Sequence, residues 1–298
     1  MDEDQSQNPP SGPKKEEGDT VLRAVTHDGS FRVVAVETTR TVRGAIAAQK
    51  VGASVMPLFA DLLTASVLVR ESMAPDLRVQ IVLQGGDRRS RLVADSHPDG
   101  MTRGLVQLAP GKDSWPLEEG GVLRVQRSMQ NGELHQGVVG VQSSANISSA
   151  FMAYMEESEQ IHTMISIATY VSGGEVVAAG GYLLQLLPEV ERQKLAVMTE
   201  RLEDFRDIGP LLARGAASPK ELLYETLYGM PYEQVAERGV HYGCNCSFTR
   251  LAASLASLPR KDVEELAASK EVLEISCDFC GQLYHYRPDQ LRGLLIDN

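Results

Sequence analysis

The chain is predicted to be α+β: a mixed or antiparallel sheet core domain with packed helices, a helical linker, and a small C-terminal zinc-binding domain. Three observations carry that expectation. Residues 77–142 hold a series of short, β-branched and apolar runs separated by tight turns. Residues 41–70 and several later stretches have the spacing of helices that pack on a sheet. All four cysteines stand near the C-terminal end, as Cys244-Asn-Cys246 and Cys277-Asp-Phe-Cys280, with thirty residues between the pairs.

Residues 1–20 hold three prolines and six acids against two lysines, which reads as a disordered acidic tail. The core is assigned to 21–188. It opens with a strand at 31–36 and continues into helices over 41–70, with Pro57 as a helix start and Gly52 and Ser54 allowing close packing. Strands follow at 77–83, 91–94, 104–108, 122–126 and 137–142, separated by turns at 84–87, 98–100 and 130–132. A helix is expected at 147–159, capped by Asn146, then strands at 163–171 and 176–187 around the Gly173-Gly174 turn. Gly180-Gly181 inside the last strand signals a bulge or a close backbone approach.

The character changes after Pro188, and 189–238 is assigned to a helical linker. Leu195, Met198, Leu202 and Phe205 recur at spacings of three and four among charged residues, the mark of a narrow apolar stripe. Gly209-Pro210 ends that helix. Ser218-Pro219-Lys-Glu221 starts another, with a capping serine, proline at the first position and glutamate three after the cap. Its apolar face is Leu222, Leu223, Leu227 and Tyr228. Residues 239–298 form the zinc-binding domain: a helix at 249–258 capped by Ser247, a second at 261–269, a hairpin around Cys277–Cys280 with Gly281 in its knuckle, and a last helix from about Pro288.

The cysteines carry the chemistry. Tetrahedral Zn²⁺ takes four soft ligands, and two pairs on tight turns supply two each, one ion per chain. Four thiols already fill the tetrahedron, so His241 and His285 are read as neighbours and not ligands. A purely structural zinc site satisfies this pattern. The single residue between Cys244 and Cys246 points further, because thiolates so close on an exposed turn are metal ligands when reduced and a potential disulfide when oxidised, which makes the site a candidate switch.

Three stretches together resemble the heat-shock protein 33 family. They are the Cys-x-Cys and Cys-x-x-Cys pairs, the segment Tyr154-Met-Glu-Glu-Ser158-Glu159-Gln160-Ile-His-Thr163, and Ala179-Gly180-Gly181-Tyr-Leu-Leu-Gln185-Leu-Leu-Pro188. The likeness spans residues 21–298, with His162 standing where proline is more usual. It implies a redox-regulated, ATP-independent holdase that binds unfolding client proteins and is not an enzyme. It also implies zinc release on oxidation, disulfides Cys244–Cys246 and Cys277–Cys280, and a homodimer in the oxidised state. The linker stripe Leu195, Met198, Leu202 and Phe205 then becomes the client-binding candidate.

Charge and absences narrow the alternatives. The net charge is −11 and the pI ≈ 5.1, which disfavour nucleic acid and anionic lipid as partners. No run of eighteen apolar residues occurs, so no membrane span is expected. Cysteines confined to one site suit a reducing cytoplasm. There is no phosphate-binding Gly-x-x-x-x-Gly-Lys-Ser/Thr loop and no Gly-x-Ser-x-Gly elbow. A zinc ribbon for nucleic acid or protein, and a thiol–disulfide oxidoreductase using Cys277 and Cys280, remain the alternative readings.

Overall fold

The structure is a computed structural model that describes residues 18–115, 120–128, 132–142, 146–188, 190–269 and 271–295. The segment 1–17, Gln130 and Asn131 of the expected 130–132 turn, and Glu189 at the expected start of the linker fall outside the described residues.

Strand β1 (Asp19–Thr26) pairs antiparallel with β2 (Phe31–Glu37). Asp19 and Thr20, read from the sequence as tail, are part of β1. Asp19 is buried, and its carboxylate accepts the backbone N–H groups of Arg40 at 3.1 Å and Thr41 at 2.6 Å. It thereby satisfies the open amino end of α1 (Thr39–Gln49), which its own preceding residue does not cap. Helix α2 (Met56–Ser72) follows, with Pro57 in its first turn as expected. A Cβ at Gly52 would meet nothing within 4 Å, so the close packing expected there does not occur.

Strands β3 (Arg78–Gln84), β4 (Arg91–Ser96), β5 (Met101–Gln107), β6 (Val122–Ser128) and β7 (Leu134–Gly140) form an antiparallel block. After α3 (Ile147–Glu157), whose N-terminus is capped by Asn146, come β8 (Thr163–Ser172) and β9 (Glu175–Leu186). Then follow α4 (Arg192–Asp204), α5 (Gly209–Ala213), α6 (Pro219–Thr226) and β10 (Tyr232–Tyr242). The C-terminal unit is α7 (Phe248–Ala256), α8 (Arg260–Ala268), the hairpin β11 (Leu273–Ser276) and β12 (Leu283–Tyr286), and α9 (Pro288–Gly293).

The large sheet runs β7-β6-β3-β4-β5-β10-β1-β2-β9-β8. All its pairings are antiparallel except β5 with β10, which meet in parallel only at His241↔Met101 and Tyr242↔Thr102. The fold is therefore α+β as expected, with two five-stranded blocks joined at one seam. Strand β10 corrects the sequence reading, in which 189–238 was a helical linker. It crosses the expected linker–zinc boundary and belongs to the sheet, pairing with β1 along its length.

Helix α2 is buried on nearly every face and spans both blocks, filling a core with Val34, Val36, Ile81, Leu92, Leu123 and Leu183. On the opposite face of β1, β2 and β9 a second core joins Leu22, Phe31, Val33, Tyr182 and Leu184 to Met198, Leu212, Leu222 and Leu223 from α4, α5 and α6. Strand β2 is covered on both faces, which is why it reads Phe-Arg-Val-Val-Ala-Val and not as an alternation. Gly180 and Gly181 mark a close approach: a Cβ would lie 2.6 Å from the Val36 carbonyl oxygen or 2.7 Å from that of Ser166. The bulge between β8 and β9 lies elsewhere, at Tyr170 and Val171.

Candidate metal centre

Strand β10 delivers the first cysteine pair. Gly243 donates its N–H to the Thr102 carbonyl at 3.3 Å, so Cys244 leaves the sheet beside β5. Cys246 ends the turn just before Ser247, whose side chain caps α7 by accepting the Arg250 N–H at 3.2 Å. The second pair sits on the tip of the β11–β12 hairpin. Cys277 donates its N–H to Gln282 O at 2.9 Å, and Gly281, at φ +71°, closes the knuckle by donating to Cys277 O at 2.7 Å. Tyr286 ties hairpin to helix: its ring stacks on Phe248 at 4.3 Å and its hydroxyl donates to Phe248 O at 2.6 Å. Among the described residues, the buried apolar side chains of this unit are few: Leu255, Val263, Ala267, Tyr286 and Leu291.

The four sulfurs all lie within 4.8 Å of one another, with Cys244 to Cys277 at 3.8 Å and Cys246 to Cys280 at 3.4 Å. Zinc–sulfur bonds of about 2.3 Å set tetrahedral sulfur–sulfur edges of about 3.8 Å. The cluster has that size, and the donor set is four half-buried thiols with no histidine among them. His285 instead pairs with Glu274 at 3.2 Å on the hairpin face.

Two donors outside the cluster touch the sulfurs. Arg103 on β5 donates to Cys244 Sγ at 3.2 Å, and Tyr284 on β12 donates its hydroxyl to Cys246 Sγ at 3.1 Å. Both favour a charged sulfur. For Cys244 the burial penalty, which raises the thiol, is outweighed by the Cys246 backbone N–H and Arg103, and the thiol falls to about 7. Cys280 is pushed up to about 12 by burial and the three neighbouring sulfurs, and Cys277 also moves up, chiefly through burial. Four thiolates this close repel one another, and a divalent cation at their centre removes that cost. The residues present fit a zinc ion.

A protein-family model described as Hsp33 protein matches residues 19–287. The chain belongs to the Hsp33 family. A protein of Syntrophotalea carbinolica named 33 kDa chaperonin is 26% identical over 287 residues, covering 93% of this chain and 99% of that one. One of the same name from Citrifermentans bemidjiense is 28% identical over 289 residues, covering 94% and 97%. The crystal structure of the 33 kDa chaperonin (heat shock protein 33 homolog) of Thermotoga maritima shares the fold at a TM-score of 0.78 with 21% identity, covering 95% of this chain and 100% of that chain.

Of the other two stretches that resemble the Hsp33 family, Ser158-Glu159-Gln160 closes the end of α3. Ser158 ends α3, and Gln160 turns the backbone at φ +57°. Glu159 accepts the Tyr154 hydroxyl and, at 2.9 Å, an Arg127 N–H, which locks the helix end to β6. The linker residues lie apart from the cysteines, over the second core. Met198 is fully buried, Leu202 and Phe205 pack partly buried against that core, and Leu195 is 38% exposed. Sequence reasoning missed Arg103, Tyr284 and Gln49, which touch the cluster or its knuckle. Only Tyr284, four residues after Cys280, lay close enough in sequence to be found.

Proposed function

We propose that the chain is a redox-regulated, ATP-independent holdase of the reducing cytoplasm. It binds unfolding proteins when oxidant disassembles the cysteine cluster, and it needs no enzymatic chemistry to do so. The observation that carries this reading is four thiols packed at zinc-ligand spacing on a unit with only five buried apolar side chains among the described residues.

A bound zinc ion supplies charge neutralisation to the four thiolates and, through them, folding energy on the order of 10 kcal/mol. Each peroxide molecule takes two electrons from one cysteine pair, forming one disulfide and two waters. Disulfide sulfurs are poor ligands, so the thiols that become bridges no longer hold the ion. Bridges within each pair, Cys244–Cys246 and Cys277–Cys280, close loops so short that each stabilises by only about 2 kcal/mol. That does not replace the metal, and the unit unfolds.

The chain path couples this loss to the linker. Cys244 lies two residues beyond β10, and β10 begins six residues after α6 ends. Helix α4 is held by Met198, by Lys194 to Asp28 at 2.6 Å and by Arg201 to the Thr226 carbonyl at 2.9 Å. A groove of about 300 Å³ runs beside it, lined by Phe31, Met164, Leu184, Leu195, Met198 and Leu202. Release of α4 exposes this apolar surface to clients and to a second copy of the oxidised chain, while the net charge of −11 keeps nucleic acid and anionic membranes away.

The deciding experiment follows light scattering of a thermally unfolding client with the protein reduced and zinc-loaded, or oxidised by peroxide. Suppression by the oxidised form alone is expected. Equal suppression by both forms would overturn the switch, and none by either would overturn the chaperone reading.

A further inference from the structure

The C-terminal unit meets the core at a narrow neck, and two core side chains grip it there. Gln49 is the last residue of α1. Its Oε1 accepts the Val106 N–H at 3.0 Å, while its Nε2 donates to the carbonyl oxygens of Asp278 at 2.7 Å and Phe279 at 2.9 Å. Val106 lies beyond the point where β10 pairs with β5, so Gln49 supplies the acceptor that a neighbouring strand would otherwise provide. Both carbonyls belong to the knuckle between Cys277 and Cys280, and they converge on one amide only while that turn is closed.

Arg103, three residues before Val106 on β5, makes the second contact. Its Nε donates to Asp95 at 2.9 Å, one terminal nitrogen donates to Cys244 Sγ at 3.2 Å, and its guanidinium carbon lies 4.1 Å from the centre of the Phe279 ring. Asp95 is fully buried and also accepts from Arg78 at 2.6 Å, so the guanidinium is braced from behind. Gln49 and Arg103 thus hold the same residue, Phe279, by its carbonyl and by its ring.

We propose that Gln49 and Arg103 are positioning residues forming a clamp through which the core stabilises the closed cysteine knuckle and sets how readily oxidant opens it. A contact present only with the closed knuckle shifts the opening equilibrium toward closed by its own net strength. The oxidant arm of this inference rests on the redox reading of the site; the exchange arm below does not.

The test uses the full chain, purified reduced and zinc-loaded. Gln49→Glu keeps the acceptor for Val106 but removes the donor and sets a carboxylate against two carbonyls. It should retain one zinc per chain and unchanged hydrogen exchange in α2. Amides of residues 273–286 should exchange about tenfold faster, the size expected from losing the paired hydrogen bonds. Zinc release to a colorimetric chelator under a fixed peroxide dose should quicken by a similar factor. Arg103→Lys keeps a cation near Cys244 but loses the fork and the ring contact, and should show the same change to a smaller extent. Unchanged exchange in 273–286 with unchanged zinc release in both variants would overturn the clamp. Equal loss of protection in α2 would overturn it too, by showing a general folding role. If oxidised wild type fails to protect a client while Gln49→Glu still loosens the knuckle, the chaperone reading falls and the clamp stands.

Discussion

Asp61 lies on α2 and accepts the Thr169 hydroxyl at 2.6 Å. Burial raises its carboxyl from 3.8 to about 7, with the Thr169 hydrogen bond pulling the other way. The folded state therefore keeps a proton that the unfolded chain loses near pH 4. This group's contribution to stability is fullest below pH 4, declines as pH rises to about 7, and is flat above. Asp61→Asn should abolish that decline and raise stability at pH 8 by on the order of 2 kcal/mol, with little change at pH 4. Urea unfolding at the two pH values checks it; an identical effect at both would refute the assignment. At the cysteines the expectation is one zinc per chain in reduced protein. Replacing any one of Cys244, Cys246, Cys277 or Cys280 by serine should drop zinc below half an equivalent and speed exchange across 273–286, as elemental analysis and exchange mass spectrometry would show. The four cysteines that cluster were legible in the sequence because each pair is local. Arg103 and Gln49 were not, since they reach the site from β5 and α1, more than 140 and 220 residues away along the chain.

Helix α6 shows how far local rules go. The Ser218 cap, Pro219 at the first position and the Glu221 return were read from sequence, and the structure contains the reciprocal box, with Ser218 N–H donating to Glu221 at 2.9 Å and Glu221 N–H to Ser218 at 3.3 Å. Ser218→Ala should cost about 1 kcal/mol, read as faster exchange in residues 219–226. Helix α4 is the more revealing element. Its stripe gave the helix, but only Met198 is fully buried. Met198→Ala should weaken its docking by about 2–3 kcal/mol. Exchange in residues 192–204 should rise in the reduced protein, and that protein should partly suppress client aggregation without oxidant. If α4 loosens and the reduced variant stays inert, α4 is not the client surface. Strand β10 escaped the sequence reading because its segment, Tyr-Glu-Gln-Val-Ala-Glu-Arg-Gly-Val-His-Tyr, is polar and largely exposed. What makes it a strand is its ladder with β1, a pairing more than 200 residues apart in sequence.

On the scale of the whole molecule, β10 places the cysteine cluster in mechanical series with the sheet. Its last two residues make the only parallel pairing between the two blocks among the described residues, and the first cysteine lies two residues beyond. Oxidation is therefore expected to strip exchange protection from β10 progressively, from Tyr242 back toward Tyr232, before α6 loses it. Time-resolved hydrogen exchange after a peroxide pulse measures this order, and simultaneous loss in β10 and α6 would show that the seam does not transmit the change.

The sequence by itself determined the α+β class, the capped helices, the short antiparallel strands and the four-cysteine donor set. Each follows from neighbours within a few residues: turn chemistry, period and ligand spacing. The tertiary structure alone decided that Asp19 caps α1, that β10 enters the sheet, that α2 is enclosed by both blocks, and that Gln49 and Arg103 grip the knuckle. These are meetings of residues remote along the chain. Their single polar contacts leave no periodic trace in the sequence, and a glutamine or arginine reads the same there whether it faces water or holds a cysteine turn.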